Sequence, residues 1–188
     1  MGLGTLDDVA EPALVMSDAI AVAPSVYHTC ALRADHRVLC WGSNEAGQLG
    51  DGTTTQRLTP VEVAAPEGHD PLEAATIGVG DWHACATDLE GTLWCWGANF
   101  LGQLGNGVVS DDLVPAPALA SSVQVPVAGV TGGEVHTCAL TQAGEVLCWG
   151  SDDQGEVGDG METLEGQPNA SPVDVCGAKL PGPDDCAE

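Results

Sequence analysis

HTCALRADHRVLCWGSNEAGQLGDG, from His28 to Gly52, returns as HACATDLEGTLWCWGANFLGQLGNG from His83 to Gly107 and as HTCALTQAGEVLCWGSDDQGEVGDG from His136 to Gly160. The copies start 55 and 53 residues apart. A unit recurring at this period is one supersecondary module that cannot bury its apolar face alone and must stack on its neighbours. Around each copy the pattern reads as four short strands. A β-branched stretch and a turn (Ile20-Ala21-Val22, Ala75-Thr76-Ile77, Ala128-Gly129-Val130) precede a His-x-Cys strand. A hairpin, a second Cys strand and a glycine-rich turn with a further apolar strand follow. Turns every 8–12 residues or so mark an all-β array, and the long, regular period favours a propeller over a sandwich.

The cysteines sharpen this reading. All eight fall into C-x9-C pairs: Cys30/Cys40, Cys85/Cys95, Cys138/Cys148 and Cys176/Cys186. In the second copy a three-residue loop, Leu89-Glu90-Gly91, puts glycine where the hairpin needs positive φ. Counting back sets Cys85 opposite Cys95, close enough for a disulfide. The third copy repeats this with Gly144, and in the first His36 takes the glycine position as a turn residue. A disulfide closing a loop of this size stabilises by roughly 2.5–3 kcal/mol. Such staples persist outside the reducing cytosol, which predicts a periplasmic, extracellular or cell-surface setting.

Other chemistries are open to the same residues. His-x-Cys-x9-Cys offers three ligands per module, but zinc favours four with closely spaced Cys pairs. His28, His83 and His136 have no nucleophile at a fixed offset, and together with Trp41, Trp96 and Trp149 they read as repeated core residues. Catalytic residues, cofactors and metals are therefore not expected. The glycine-rich turns lack the lysine or following helix of a phosphate cradle. The third turn gathers Asp152, Asp153, Glu156 and Asp159, a candidate acidic binding loop. Its spacing departs from the calcium-binding loop pattern and is read first as a solvated turn.

The formal charge is −24, with four cationic side chains in the whole chain: Arg33, Arg37, Arg57 and Lys179. Phosphate backbones need clustered lysine and arginine, so direct nucleic-acid binding is excluded as an expectation. No apolar run is long enough for a membrane-spanning helix. The first residues, MGLGTLDDVAEPALVMSDA, lack the basic start and apolar core of a signal peptide.

At these residues the chain resembles the RCC1 (regulator of chromosome condensation) repeat family. The strand pattern G-x-x-H-[TS]-x-A-L followed by W-G-x-N-x-x-G-Q-L-G-x-G is matched nearly residue for residue by His28–Gly52 and His83–Gly107. The third copy carries Asp152, Glu156 and Val157 for Asn, Gln and Leu. The likeness covers residues 12 to 175, and the added cysteines are similar to those of exported bacterial members. The resemblance implies four-stranded blades in a ring of typically seven. It implies a partial propeller here: three blades at about 12–65, 66–118 and 119–175, as an open arc or a fragment of a larger ring. An N-terminal extension (1–11) and a cap stapled by Cys176 and Cys186 (176–188) flank them. The family includes a nucleotide-exchange factor for a small GTPase, a plant ultraviolet-B receptor and a secreted β-lactamase inhibitor, each using its propeller as a binding surface. The expected function is a non-catalytic interaction module for a protein or glycan partner, possible further repeats of the same parent protein included. A GTPase regulator is the alternative. Trp82, in GDWHAC, is read as a packing residue.

Overall fold

The computed structural model describes residues 2–7, 10–66 and 71–158, the side chain of Pro115 excepted, and the backbone of 169–174. Cys176, Cys186 and Asp159 lie outside the described residues. The described chain is all-β, with twelve strands in three four-stranded antiparallel sheets. Sheet 1 holds β1 (Ala19–Pro24), β2 (His28–Arg33), β3 (Val38–Gly42) and β4 (Arg57–Glu62). Sheet 2 holds β5 (Ala74–Val79), β6 (His83–Asp88), β7 (Leu93–Asn99) and β8 (Ser110–Leu119). Sheet 3 holds β9 (Val127–Gly132), β10 (His136–Thr141), β11 (Val146–Gly150) and β12 (Asn169–Asp174). Each is a simple meander in chain order. The second sheet ends one residue beyond the repeat boundary placed at 118.

The central hairpin is the same in all three. Its partners are Cys30 opposite Cys40, Cys85 opposite Cys95 and Cys138 opposite Cys148. Each pair is a disulfide with Cα atoms 4.1, 4.1 and 4.2 Å apart. That is the short spacing of directly opposed strand residues that do not exchange backbone hydrogen bonds. The loop residue at the tip has φ of +66° at His36, +88° at Gly91 and +87° at Gly144. His36 does more than turn the chain. Its Nδ1–H donates to the Ala74 carbonyl (3.0 Å), while Ala74 N donates to the His36 carbonyl (2.8 Å), so the first hairpin grips the start of sheet 2. The second hairpin grips sheet 3 through Val127 N and the Gly91 carbonyl, 2.9 Å.

The core lies between sheets. One cluster joins Cys30, Leu32, Val38, Cys40 and Leu49 of sheet 1 to Ala84, Ala86 and Trp96 of sheet 2. The other joins Cys85, Leu93, Cys95 and Leu104 of sheet 2 to Val130, Ala139 and Trp149 of sheet 3. So the disulfide face of each sheet meets the alanine, tryptophan and β-branched face of the next. Fully burying one such large side chain is worth about 1.5–3 kcal/mol, which no isolated sheet could collect. Contacts between sheets run through first and second strands: β5 against β1 and β2, β9 against β5 and β6. First strands that approach one another most closely are the geometry of blades converging on an axis.

Candidate interaction surface

His28 and His83 are buried and His136 is half-buried; Trp96 and Trp149 are built into the junctions between sheets, while Trp41 lies against Gly2. Trp96 and Trp149 are fully buried and Trp41 nearly so. Trp96 Nε1 donates to the Gln48 carbonyl (3.0 Å) and Trp149 Nε1 to the Gln103 carbonyl (2.9 Å), each reaching into the glycine-rich turn of the preceding sheet. At the second junction a chain of bonds adds to this. Thr137 Oγ1 donates to the Gln103 carbonyl (2.8 Å), so its oxygen accepts from His83 Nε2–H, also 2.8 Å away. His28 instead faces the Ser25 hydroxyl through Nδ1 (3.0 Å). Burial lowers the His28 pKa from 6.5 to about 4 and the His83 pKa to about 3, with repulsion from His28 and His136 adding to the latter. Both are neutral at physiological pH. They are hydrogen-bonding core groups, and the hydroxyls beside them, Ser25 at His28 and Thr137 at His83, are themselves tied to backbone carbonyls, those of His28 and Gln103.

The acidic third turn has a structural explanation for half of its carboxylates. In the first turn Asn44 Oδ1 accepts from Leu49 N (2.9 Å) and Gln48 Oε1 accepts from Ala46 N (2.9 Å). In the second, Asn99 Oδ1 and Gln103 Oε1 accept from Leu104 N (3.1 Å) and Leu101 N (2.9 Å). In the third, Asp152 Oδ1 accepts from Val157 N and Glu156 Oε2 from Gln154 N, both at 2.8 Å. The acceptor oxygen survives the change from amide to carboxylate, so the turn keeps its shape. Asp152 is buried, Glu156 half-buried and Asp153 exposed. Among the described residues no group of three or more His, Cys, Asp or Glu side chains is placed to hold a metal ion.

Other acids are also structural. Burial would raise the Asp51 pKa, but hydrogen bonds from Thr53 and the Arg57 guanidinium outweigh it and hold it low. Asp88 is lowered against burial in the same way, by Trp94, Thr92 and the Glu90 amide. Every described arginine is tied to a carboxylate: Arg33 to Asp35, Arg37 to Glu62 and Arg57 to Asp51.

The exposed feature that sequence reasoning passed over lies in the turns before each His strand. The β1–β2, β5–β6 and β9–β10 turns form one ledge. Val26 N donates to Asp81 Oδ1 (3.4 Å), and Asp81 N donates to the Glu134 carbonyl (3.1 Å). Tyr27 and Trp82 stand on this ledge with ring centroids 4.9 Å apart at a 42° tilt. Tyr27 is 41% exposed and Trp82 half-buried, so Trp82 packs, but at the surface. Asp81, next to Trp82 in the chain, accepts from Val26 N and binds the Glu134 carbonyl through its own amide. An aromatic is present just before the His in two of three copies, which is the signal the sequence carried. Chemically the ledge offers two aromatic rings and the Asp81 carboxylate, and the three described arginines are tied to carboxylates elsewhere.

Stacked four-stranded blades carrying this turn motif define a propeller-type repeat protein. The sequence profile of the Regulator of chromosome condensation (RCC1) repeat matches residues 35–87 and 90–140, and a second profile of that repeat matches 20–48, 75–103 and 127–156. The chain belongs to this family. It is 32% identical over 168 residues to the ultraviolet-B receptor UVR8 of Arabidopsis thaliana, covering 87% of this chain and 37% of the receptor. It is 33% identical over 149 residues to the human probable E3 ubiquitin-protein ligase HERC4, covering 79% of this chain and 14% of the ligase. Among solved structures, Prp20p of Saccharomyces cerevisiae superposes with a TM-score of 0.71 at 22% identity, over 84% of this chain and 38% of that one. Human WBSCR16 gives 0.70 at 22% identity, over 83% and 37%. The chain thus spans little more than a third of these relatives, or less.

Proposed function

We propose that the chain is a non-catalytic interaction module that holds a partner protein on the ledge of Val26, Tyr27, Asp81, Trp82 and Glu134. The observation that carries this reading is the exposed Tyr27–Trp82 pair on turns tied together across three sheets. A basic side chain suits it best. A guanidinium over an aromatic face gains roughly 0.5–2 kcal/mol, and the Asp81 carboxylate and the −24 charge favour a cation over an anion. A glycan, which also stacks on aromatics, is the competing occupant. Three disulfides support an oxidising setting, periplasmic, extracellular or cell-surface. The alternative of a small-GTPase regulator draws support from kinship alone, and a nucleotide-release assay tests it.

The test uses an octa-arginine peptide as probe, with tryptophan fluorescence and calorimetry as readouts. Trp82→Ala leaves the net charge unchanged and is expected to weaken binding about tenfold. Asp153→Asn, a charge change outside the ledge, is expected to leave it within about twofold. Equal losses from both would mean diffuse attraction to an acidic surface and would sink the ledge. Binding of neutral oligosaccharides that is lost with Trp82→Ala would replace the basic partner by a glycan.

A further inference from the structure

The β7–β8 loop of sheet 2 carries apolar side chains where its counterparts are polar. Phe100-Leu101 stands where the first loop has Glu45-Ala46 and the third has Asp153-Gln154. Val108-Val109 stands where the first has Thr53-Thr54. Hydrogen bonds fix this alignment. Asn99 Nδ2 donates to the Val108 carbonyl (2.9 Å) and Val108 N to Asn106 Oδ1 (3.1 Å). In the first loop Asn44 Nδ2 donates to the Thr53 carbonyl and Thr53 N to Asp51 Oδ1, both at 3.0 Å. The two loops therefore share one backbone scaffold.

Their side chains do different work. The Thr53 hydroxyl donates to Asp51 Oδ1 (2.7 Å) and accepts from Thr55 N (3.2 Å), so it helps to hold its loop. Val108 keeps the β-branched shape and has no hydroxyl to make either bond. It is 52% exposed, Val109 46% and Phe100 39%. Single exposed apolar residues need no explanation, but three on one loop, each in place of a polar residue of the first loop, call for one. Nor is this a face left for a neighbouring blade. Sheet 2 packs against sheet 1 on one side and sheet 3 on the other, and the loop joins the ends of its strands.

We propose that Phe100, Val108 and Val109 form an apolar docking patch for a partner protein segment in which apolar side chains stand among lysines or arginines. It rests on the proposed function in seating the partner's basic side chain on the Tyr27–Trp82 ledge. The two features adjoin. The β5–β6 turn and the β7–β8 loop lie at the same end of sheet 2, and Ala98 N, two residues before Phe100, donates to the Trp82 carbonyl (2.9 Å). Charge selects the occupant. Asp111 and Asp112, both exposed, follow Val109 after Ser110, and the formal charge of the chain is −24. A second copy or an anionic lipid surface would bring like charge to the patch, whereas a basic segment brings the opposite. A glycan stacks on aromatic rings and finds no such face on two valines.

Calorimetry on the oxidised chain with two peptides of equal charge tests this: octa-arginine, and one in which leucine pairs separate the arginine pairs. The chain is expected to bind the leucine-bearing peptide about tenfold more tightly. A triple variant, Phe100→Gln with Val108→Thr and Val109→Thr, leaves the net charge unchanged and gives both valine positions the residues of the first loop. It is expected to erase that preference while keeping octa-arginine within about twofold of its affinity for the unaltered chain. Leu89→Gln removes an apolar side chain that is 49% exposed at the β6–β7 hairpin, the other end of sheet 2, and is expected to leave the preference intact. Equal binding of the two peptides by the unaltered chain overturns the proposal. So does a preference that survives the triple variant or disappears with Leu89→Gln. Self-association that the triple variant abolishes overturns it too, by making a second copy the occupant. Trp82→Ala separates patch from ledge: it is expected to weaken both peptides alike and keep the preference. If Trp82→Ala changes neither affinity while the triple variant erases the preference, the ledge falls and the patch stands.

Discussion

The junction between sheets 1 and 2 and the junction between sheets 2 and 3 are two builds of one design. Both keep the tryptophan bond to a glutamine carbonyl and the backbone grip of hairpin tip on the next first strand. They differ in what fills the space near the axis. At the second junction backbones meet. A Cβ on Gly78 would fall 2.5 Å from the Val130 carbonyl oxygen, and one on Gly132 would fall 2.5 Å from Gly80 N. At the first, side chains meet instead: Ala23 stands at the Gly78 register and Val79 at the Gly132 register, and both pack in the first core cluster. The hydroxyl of Thr137 links His83 to the Gln103 carbonyl. Ala84 occupies the Thr137 position in sheet 2, and His28 Nε2 has no hydrogen-bond partner among the described residues. One repeat thus closes its interface with polar bonds and close backbones, the other with apolar side chains and the extra His36 bond. Neighbouring modules can differ in how an interface is held without differing in register.

The largest expected effect separates the two junctions by pH. His28 and His83 have pKa values lowered to about 4 and about 3, against 6.5 for an exposed imidazole. Unfolded chains therefore take up protons that the folded chain refuses. The stability from these groups is complete above about pH 6.5. It is lost as pH falls, through about 4 for His28 and about 3 for His83. Urea unfolding of the oxidised chain between pH 7.5 and pH 3 should show a loss of roughly 5–8 kcal/mol. A His28→Gln variant should roughly halve the slope between about pH 6.5 and 4, where both rings contribute, and keep the part below about pH 4 that His83 alone carries. A pH-independent midpoint would mean that neither ring is shut away.

Next in size is the backbone contact. Gly78→Ala puts a methyl group into the Val130 carbonyl and should cost about 3 kcal/mol in urea unfolding. Ala23→Gly, at the same register of the first junction, removes only a half-buried methyl group and should cost about 1 kcal/mol. Equal costs would mean that the two junctions are spaced alike. Thr137→Ala comes third. It turns the second junction into a copy of the first, leaves the His83 Nε2–H without an acceptor, and should cost about 2 kcal/mol.

The sequence was most readable where one residue type has one geometric use. C-x9-C around a three-residue loop gave the opposed pairs at Cys30/Cys40, Cys85/Cys95 and Cys138/Cys148. Four strands per copy and the all-β class followed from the same spacing. The ledge was not readable in that way. Tyr27, Trp82 and Val135 precede the three His residues, and only the structure shows two of them stacked across a sheet boundary. From the sequence, residues 1–11 read as an N-terminal extension. Gly2 and Gly4 share positive φ with Gly50 and Gly52, and Gly2 lies against the Trp41 indole as Gly50 lies against that of Trp96. Asp152 and Glu156, two members of the candidate acidic loop, each have a part in the turn itself. Their charge stands out in sequence, while the oxygen that each shares with Asn or Gln is what the turn uses.

The smallest expected effect is also the sharpest, because it is a gain. Ala84 is 1% exposed and lies where Thr137 lies in the next sheet, beside the same kind of histidine and the same glutamine carbonyl. Ala84→Thr should let the hydroxyl donate to the Gln48 carbonyl and accept from His28 Nε2, repeating the bonds that Thr137 makes. Supplying a partner to a buried donor is worth about 1 kcal/mol, which the added volume could offset only if the first junction is narrower than the second. The backbone argues that it is wider, since Gly78 and Gly132 draw the second one together. A double-mutant cycle with His28→Phe isolates the bond: the gain should vanish when the ring nitrogen is removed. A gain that persists in the His28→Phe background would mean that the hydroxyl serves only the Gln48 carbonyl. A loss would mean that the Ser25 contact holds the His28 ring away from the Ala84 position, and that the two junctions differ in ring orientation as well as in composition.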